Sequence, residues 1–171
     1  MRIVAAAILT FVAETSAIGY PCSNASPLGT LSFLAGQWVG QPKGQPVFQG
    51  FPGVLQSGDF TGYFELDQWV LILKSLTAHK DMMIVYAGCG SDRGIGALYI
   101  DGTAHTVQHC TWTVLYPPNR SKPNGVTFVS LREPNLPTFR LTYTEVAPGN
   151  ISIELQAGAS TYTSTARRLP H

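Results

Sequence analysis

The chain has few charges for its 171 residues. Only 12% of the residues are charged and the formal net charge is +1, so there is no basic stripe that could neutralise the phosphates of a nucleic acid. We therefore expect no nucleic-acid partner. Hydrophobic residues make up 44% of the chain, which is too many for an intrinsically disordered protein. The length predicts a single domain with room for a real core.

The chain also lacks an apolar run long enough to anchor it stably in a bilayer. The apolar run over residues 3–13 follows Arg2 and precedes small residues that end at Ala17. This is the pattern of a cleaved signal peptide, although an N-terminal core strand or helix is the alternative. We expect a signal peptide over residues 1–17, a linker over residues 18–30, no membrane span, and a secreted or periplasmic protein.

Cysteine and histidine are too scarce to form an evident metal cluster. The cysteines are Cys22, Cys89 and Cys110, without a C-x-x-C pair, so at most one internal disulfide forms. We favour Cys89 with Cys110 because both fall in the strand-rich middle of the chain; the alternatives are Cys22 paired with either of them, or three free buried thiols. His105 and His109 are predicted to share one face of a strand, but no third ligand lies nearby. We therefore expect no metal, and two solvated imidazoles.

What the chain does contain is a series of short alternating segments separated by turns. In residues 139–144, Phe139, Leu141 and Tyr143 share one face and polar side chains share the other. Asp101-Gly102 is a strong hairpin signal. Strands are predicted over residues 58–66, 68–76, 82–87, 95–100, 105–116, 126–132, 139–146, 151–156 and 162–168. Their spacing predicts an antiparallel meander, and closure into a barrel would remove its exposed edges.

The segment Gly36-Gln37-Trp38-Val39-Gly40 places a large indole between two glycines, and we expect Trp38 to plug a closed end of the barrel. This G-x-W-x-G at a first strand, followed by the meander, resembles the calycin superfamily of lipocalins, fatty-acid-binding proteins and nitrobindin-like barrels. A Gly-closed hairpin at residues 91–94 and the late strand at residues 139–144 resemble more closely small, often exported bacterial calycin domains of unknown function. The resemblance covers roughly residues 31–168.

The resemblance implies an all-β fold. We predict an antiparallel up-and-down, calycin-like barrel of about 8–10 strands over residues 31–171, with a short helical turn at residues 28–34. It also implies a cavity that holds a small molecule. Nitrobindin-like members bind haem through a late-strand histidine; residues 126–168 contain none, so we expect no haem and no other cofactor.

The function we expect is binding of a small, largely apolar molecule in the interior, by a monomer or homodimer. Tyrosine hydroxyls would orient the molecule. From the alternation of the strands, the expected ligand-binding residues are Trp38, Ile84, Tyr86, Tyr99, Trp112, Phe128 and Tyr143.

Two other functions fit the sequence. The barrel could be the reaction chamber of a cofactor-free isomerase, cyclase or hydrolase, because Lys74, Glu65 and Glu154 interrupt apolar segments where burial would shift their pKa values. An outward position on an alternating strand explains the same three residues without chemistry. The remaining alternative is a structural or interaction barrel with a filled core.

Overall fold

The computed structural model describes residues 27–41, 59–76, 80–87, 95–118 and 122–170. They form a closed barrel of ten antiparallel strands in which each strand pairs with its neighbour in sequence, and the first strand pairs with the last. A 3-10 helix, η1 (Pro27–Leu34), precedes the barrel. The strands are β1 (Gly36–Gln41), β2 (Phe60–Glu65), β3 (Val70–Ser75), β4 (Met82–Ala87), β5 (Ile95–Asp101), β6 (Thr106–Leu115), β7 (Gly125–Ser130), β8 (Phe139–Ala147), β9 (Asn150–Ala157) and β10 (Ser160–Arg168).

The prediction of an all-β, up-and-down barrel with a short N-terminal helical turn is confirmed. The physical reason is the alternation along the strands. Successive side chains point to opposite faces of the sheet, so every second side chain is buried inside the closed barrel and the others face outward. In β9, for example, Ile151, Ile153 and Leu155 are buried while Ser152 and Glu154 are only partly so. Strand bounds differ from the predicted ones by a few residues at most, the usual uncertainty of element ends.

One end of the barrel, which we call the helix end, is closed by η1. Leu28, Leu31 and Leu34 of this helix are fully buried. The chain then enters β1, and the indole Nε1 of Trp38 donates a hydrogen bond to the carbonyl oxygen of Leu34 at 3.0 Å. Gly62 of β2 allows η1 to pack this closely against the barrel, since a Cβ at this position would overlap the Leu34 carbonyl. Trp38 has no exposed surface, as expected of a plug.

Arg168, at the end of β10, joins the helix to the barrel. It is paired with Trp38 in the register of β1 and β10, and its guanidinium carbon lies 4.9 Å from the centroid of the indole. The same guanidinium donates a hydrogen bond from Nη2 to the carbonyl oxygen of Phe33 at 2.6 Å. The Arg168 guanidinium therefore stacks on the indole of Trp38 and, through its hydrogen bond to Phe33, also fixes the C-terminal end of η1.

The opposite end, which we call the far end, carries the β3–β4, β5–β6 and β9–β10 turns and the β7–β8 loop. The connection from β1 to β2 contains residues 42–58, outside the described residues. Residues 1–26, where the signal peptide and most of the linker are predicted, also lie outside them. In the part of the chain that the structure describes, no helix has the length and apolar character needed to cross a membrane.

Candidate functional site

Five of the seven residues predicted to bind a ligand lie in the barrel interior. Trp38, Tyr99, Trp112, Phe128 and Tyr143 all point inward and are at most 9% exposed. Their assignment to the interior face is correct; whether they bind a ligand stays a prediction.

The other two residues, Ile84 and Tyr86, lie on the outside of β4, so their assignment to the interior is wrong. Met83, Val85 and Ala87 are the buried side chains of this strand. Tyr86 pairs with Gly96 on the neighbouring strand, and its ring lies where a side chain of Gly96 would stand. Both faces of β4 are apolar, so hydrophobicity alone could not decide which face turns inward.

The helix half of the interior is filled by aromatic rings. Trp38 stacks on Phe60 with ring centroids 5.9 Å apart, and Phe60 meets Tyr143 edge to face at 5.8 Å. Tyr143 in turn meets Phe128 at 6.2 Å. None of these four side chains has measurable exposure. Phe60 was missed by the sequence analysis, although its position two residues before Gly62 in an alternating strand was a usable signal.

Among the residues that the structure describes, three buried polar atoms of the interior have no hydrogen-bond partner. They are Nε1 of Trp112, Oη of Tyr143 and Oγ of Ser164. An unsatisfied buried polar group costs about 1–3 kcal/mol, so such groups are rare in folded proteins and call for a physical reason. Tyr143 and Ser164 flank Ile153 on adjacent strands, in one row of the sheet. Burial raises the pKa of Tyr143 well above its usual range, so this hydroxyl keeps its proton.

A buried hydrogen-bond network lies at the far end. Tyr99 donates from its hydroxyl to Oδ2 of Asp81 at 3.0 Å, and the amide of Gly102 donates to Oδ1 of Asp81 at 3.3 Å. Oδ1 of Asp101 accepts from the amides of Thr103 and Ala104 at 2.8 and 2.7 Å. Burial, and then the nearby carboxylate of Asp81, raise the pKa of Tyr99 far above its usual range. The network therefore presents a protonated phenol and carboxylates that accept hydrogen bonds from the β5–β6 turn.

The β7–β8 loop is held against the far end by two buried side chains. Nε2 of Gln108 donates to the carbonyl oxygens of Leu131 and Pro137 at 3.3 and 3.1 Å. Oγ of Ser130 accepts from the amide of Phe139 at 2.7 Å. Gln108 shares the interior face of β6 with Cys110 and Trp112, and its polar side chain anchors the β7–β8 loop.

Cys110 has a free, buried thiol. The predicted Cys89–Cys110 disulfide is therefore wrong for Cys110, whose side chain turns into the barrel on β6. Burial raises the pKa of the thiol to about 12, so Cys110 is not a reactive nucleophile. Cys22 and Cys89 lie outside the described residues.

The two histidines are on the outside, as expected, but they are not on one strand. His105 is in the turn before β6, with a φ of 56°. His109 is an outward residue of β6, and its Nδ1 lies 2.9 Å from Oε1 of Glu133. The amide of His109 donates to the same oxygen, and these bonds lower the pKa of Glu133. Within the described residues, no group of three or more His, Cys, Asp or Glu side chains could hold a metal ion.

The three residues considered for acid–base chemistry do not share a site. Lys74 and Glu65 are exposed on the outer wall, and Glu154 is partly exposed there, with Oε1 accepting a hydrogen bond from Gln156 at 2.7 Å. An open groove of about 620 Å³ lies beside η1 at the rim of the helix end, where Gln37, Tyr63 and Arg168 contribute to its walls. It is separate from the predicted interior site.

Comparisons of the chain with models of protein families, with curated proteins and with solved structures found no match.

Proposed function

We propose that this chain is an exported, calycin-like barrel that binds one small, largely apolar molecule in its interior. The G-x-W-x-G strand, the helix-closed end and the closed meander support the calycin-like assignment. The observation that carries the binding function is the set of polar atoms on Trp112, Tyr143 and Ser164 that have no partner among the described residues and lie among the apolar side chains of the interior.

The hydrogen-bonding chemistry of these atoms indicates the ligand class that we propose. The indole nitrogen of Trp112 can only donate a hydrogen bond, whereas the hydroxyls of Tyr143 and Ser164 can donate and accept. Leu141, Ile153 and their neighbours on β8 and β9 surround them with apolar side chains. A molecule with an apolar body and one acceptor group, such as a carbonyl or carboxylate oxygen, would offset the cost of burying these groups.

Uptake of a fluorescent fatty acid, cis-parinaric acid, tests the proposal. Ser164→Ala and Trp112→Phe remove one polar atom each, and each is expected to weaken uptake about five- to tenfold, the value of one hydrogen bond of roughly 1 kcal/mol. Thr163→Ala is the matched control, since Thr163 is the exposed neighbour of Ser164 on the same strand. Uptake that is absent in the wild type, or unchanged in both interior variants, would contradict the proposal.

A filled structural barrel is the second candidate, and a specific observation favours it. The side chains of Trp38, Phe60, Phe128 and Tyr143 have no exposed surface, so the helix half of the barrel is closely packed. In a filled barrel Ser164→Ala should only stabilise the fold, because it removes an unsatisfied hydroxyl. In a binding barrel the same substitution stabilises the empty protein and weakens uptake, so the two measurements together separate the candidates.

Export is proposed from the sequence pattern of residues 1–17. The mature chain would begin near Ile18. Intact-mass measurement of the protein recovered outside the cytoplasm checks this directly. A mass that still includes Met1 and Arg2 would refute it.

A further inference from the structure

The outer wall of the barrel is apolar on one side. One row of the sheet runs from Tyr63 on β2 through Ile72 and Ile84 to Leu98 on β5, as neighbours in register. Tyr63 is 37% exposed and the other three are partly exposed. None of these side chains belongs to the core. They form the centre of a surface that we call the outer apolar face.

Two further rows extend this face along the strands. Toward the helix end lie Val70 and Tyr86, paired with each other across β3 and β4. Toward the far end lie Met82, Ile100 and Val107, on three successive strands. Val107 is 49% exposed. The face thus spans strands β2 to β6 in three adjacent rows.

The rest of the outer wall is mostly polar, although Val39 on β1 and Val146 on β8 are exposed there. On β6 beyond the face, the outward residues are Thr111 and Thr113; on β8 they are Arg140, Thr142 and Thr144. On β10 the outward side chains include Thr161, Thr163 and Arg167. Four strand spacings of about 4.8 Å and five residues of about 3.3 Å give the face roughly 300 Å² of projected sheet, the size of the largest apolar patch on a typical monomer, and such patches are often functional.

Charges of opposite sign border the two ends of this face. Glu65 and Asp67 are exposed beside it at the helix end, and Lys74 and Lys80 are exposed at the far end. None of these four forms an ion pair with another described residue. A second copy turned end for end would bring the acidic margin of each chain to the basic margin of the other.

We propose that the outer apolar face is the contact surface of a symmetric homodimer. The closed barrel has no free strand edge, so association has to take place face to face, as two packed sheets do. The two-fold axis lies across the strands, runs between the paired faces near Ile84, and places Glu65 of one copy close to Lys74 of the other. Two such faces would bury about 600 Å² in total, which is below the roughly 1,000 Å² of a stable interface, so the dimer is a weak, transient one with a dissociation constant above about a micromolar.

Sedimentation equilibrium over a concentration series of the full chain tests the dimer. The wild type is expected to approach twice the mass of one chain, whereas Ile84→Lys should remain a single chain with an unchanged far-ultraviolet circular dichroism spectrum. Thr163→Lys adds the same charge on the polar side of the barrel and should still dimerise. A single-chain mass at every concentration overturns the proposal; cosedimentation with phosphatidylcholine vesicles would then assign the face to a lipid surface.

A charge exchange tests the orientation of the two copies. Glu65→Lys and Lys74→Glu are each expected to weaken the dimer about three- to tenfold, because each places like charges opposite one another. The double variant should recover the wild-type dissociation constant. A double variant weaker than either single one would overturn the end-for-end arrangement.

Discussion

The closed helix end predicts that the indole nitrogen of Trp38 contributes to stability while that of Trp112 does not. Both side chains are interior tryptophans at most 9% exposed. Nε1 of Trp38 donates to the Leu34 carbonyl, and Nε1 of Trp112 has no partner in the described part of the chain. The two Trp→Phe substitutions therefore remove similar ring area, but only Trp38→Phe also removes a hydrogen bond.

The expected magnitudes follow from this difference. Trp38→Phe shrinks a packed ring, leaves the Leu34 carbonyl without its donor and weakens the contact with Arg168, which together predict a loss of about 2–4 kcal/mol in the free energy of unfolding. Trp112→Phe loses ring volume but removes an unsatisfied donor, so it should cost at least about 1 kcal/mol less. Trp38→Ala should cost about 3–5 kcal/mol.

Urea denaturation followed by far-ultraviolet circular dichroism is the suitable assay, because tryptophan fluorescence changes in the variants themselves. Equal slopes with denaturant would show that the same surface is exposed on unfolding in each variant. A loss below about 1 kcal/mol for Trp38→Ala would refute the plug. A larger loss for Trp112→Phe than for Trp38→Phe would refute the assignment of the hydrogen bonds.

Three further predictions concern other parts of the barrel. Gly62→Ala should destabilise the fold by about 1–3 kcal/mol in the same assay, because the added Cβ meets the Leu34 carbonyl rather than a movable side chain; a neutral effect would contradict the close approach of η1. Cys110 should resist iodoacetamide in native protein at about pH 8 and react after unfolding, given its buried thiol and a pKa of about 12, so rapid native labelling would show that β6 faces the other way. The free energy of unfolding should fall as the pH rises from 9.0 toward about 12, since the unfolded chain ionises the Cys110 thiol before the folded chain does. Over the same pH range, the urea midpoint of Cys110→Ala should fall less steeply than that of the wild type.

The strand pattern predicts the fold well because most strands alternate clearly. In β8 and β9 one face is mainly apolar and the other mainly polar, so period, face and approximate length follow directly from residues such as Leu141 and Ile153. The glycines around Trp38 predict the closed end for a similar local reason.

The errors arise where the sequence is apolar on both faces. Along β4 every residue is apolar, so nothing local distinguishes Ile84 from Val85, and only the register with β3 and β5 places Ile84 outside. Arg168 was not singled out either, since its partners Trp38 and Phe33 are more than a hundred residues away in sequence. Contacts that closure creates between the first and last strands cannot be predicted from local periodicity.

Native mass spectrometry of the protein purified from its own host tests the central claim most directly. We predict a species heavier than the mature chain by one small molecule, and loss of that excess mass when the protein is denatured. Ser164→Ala should retain less of the molecule than Thr163→Ala does. A native mass equal to that of the mature chain alone, together with no uptake of cis-parinaric acid, would contradict the claim that the interior binds a ligand.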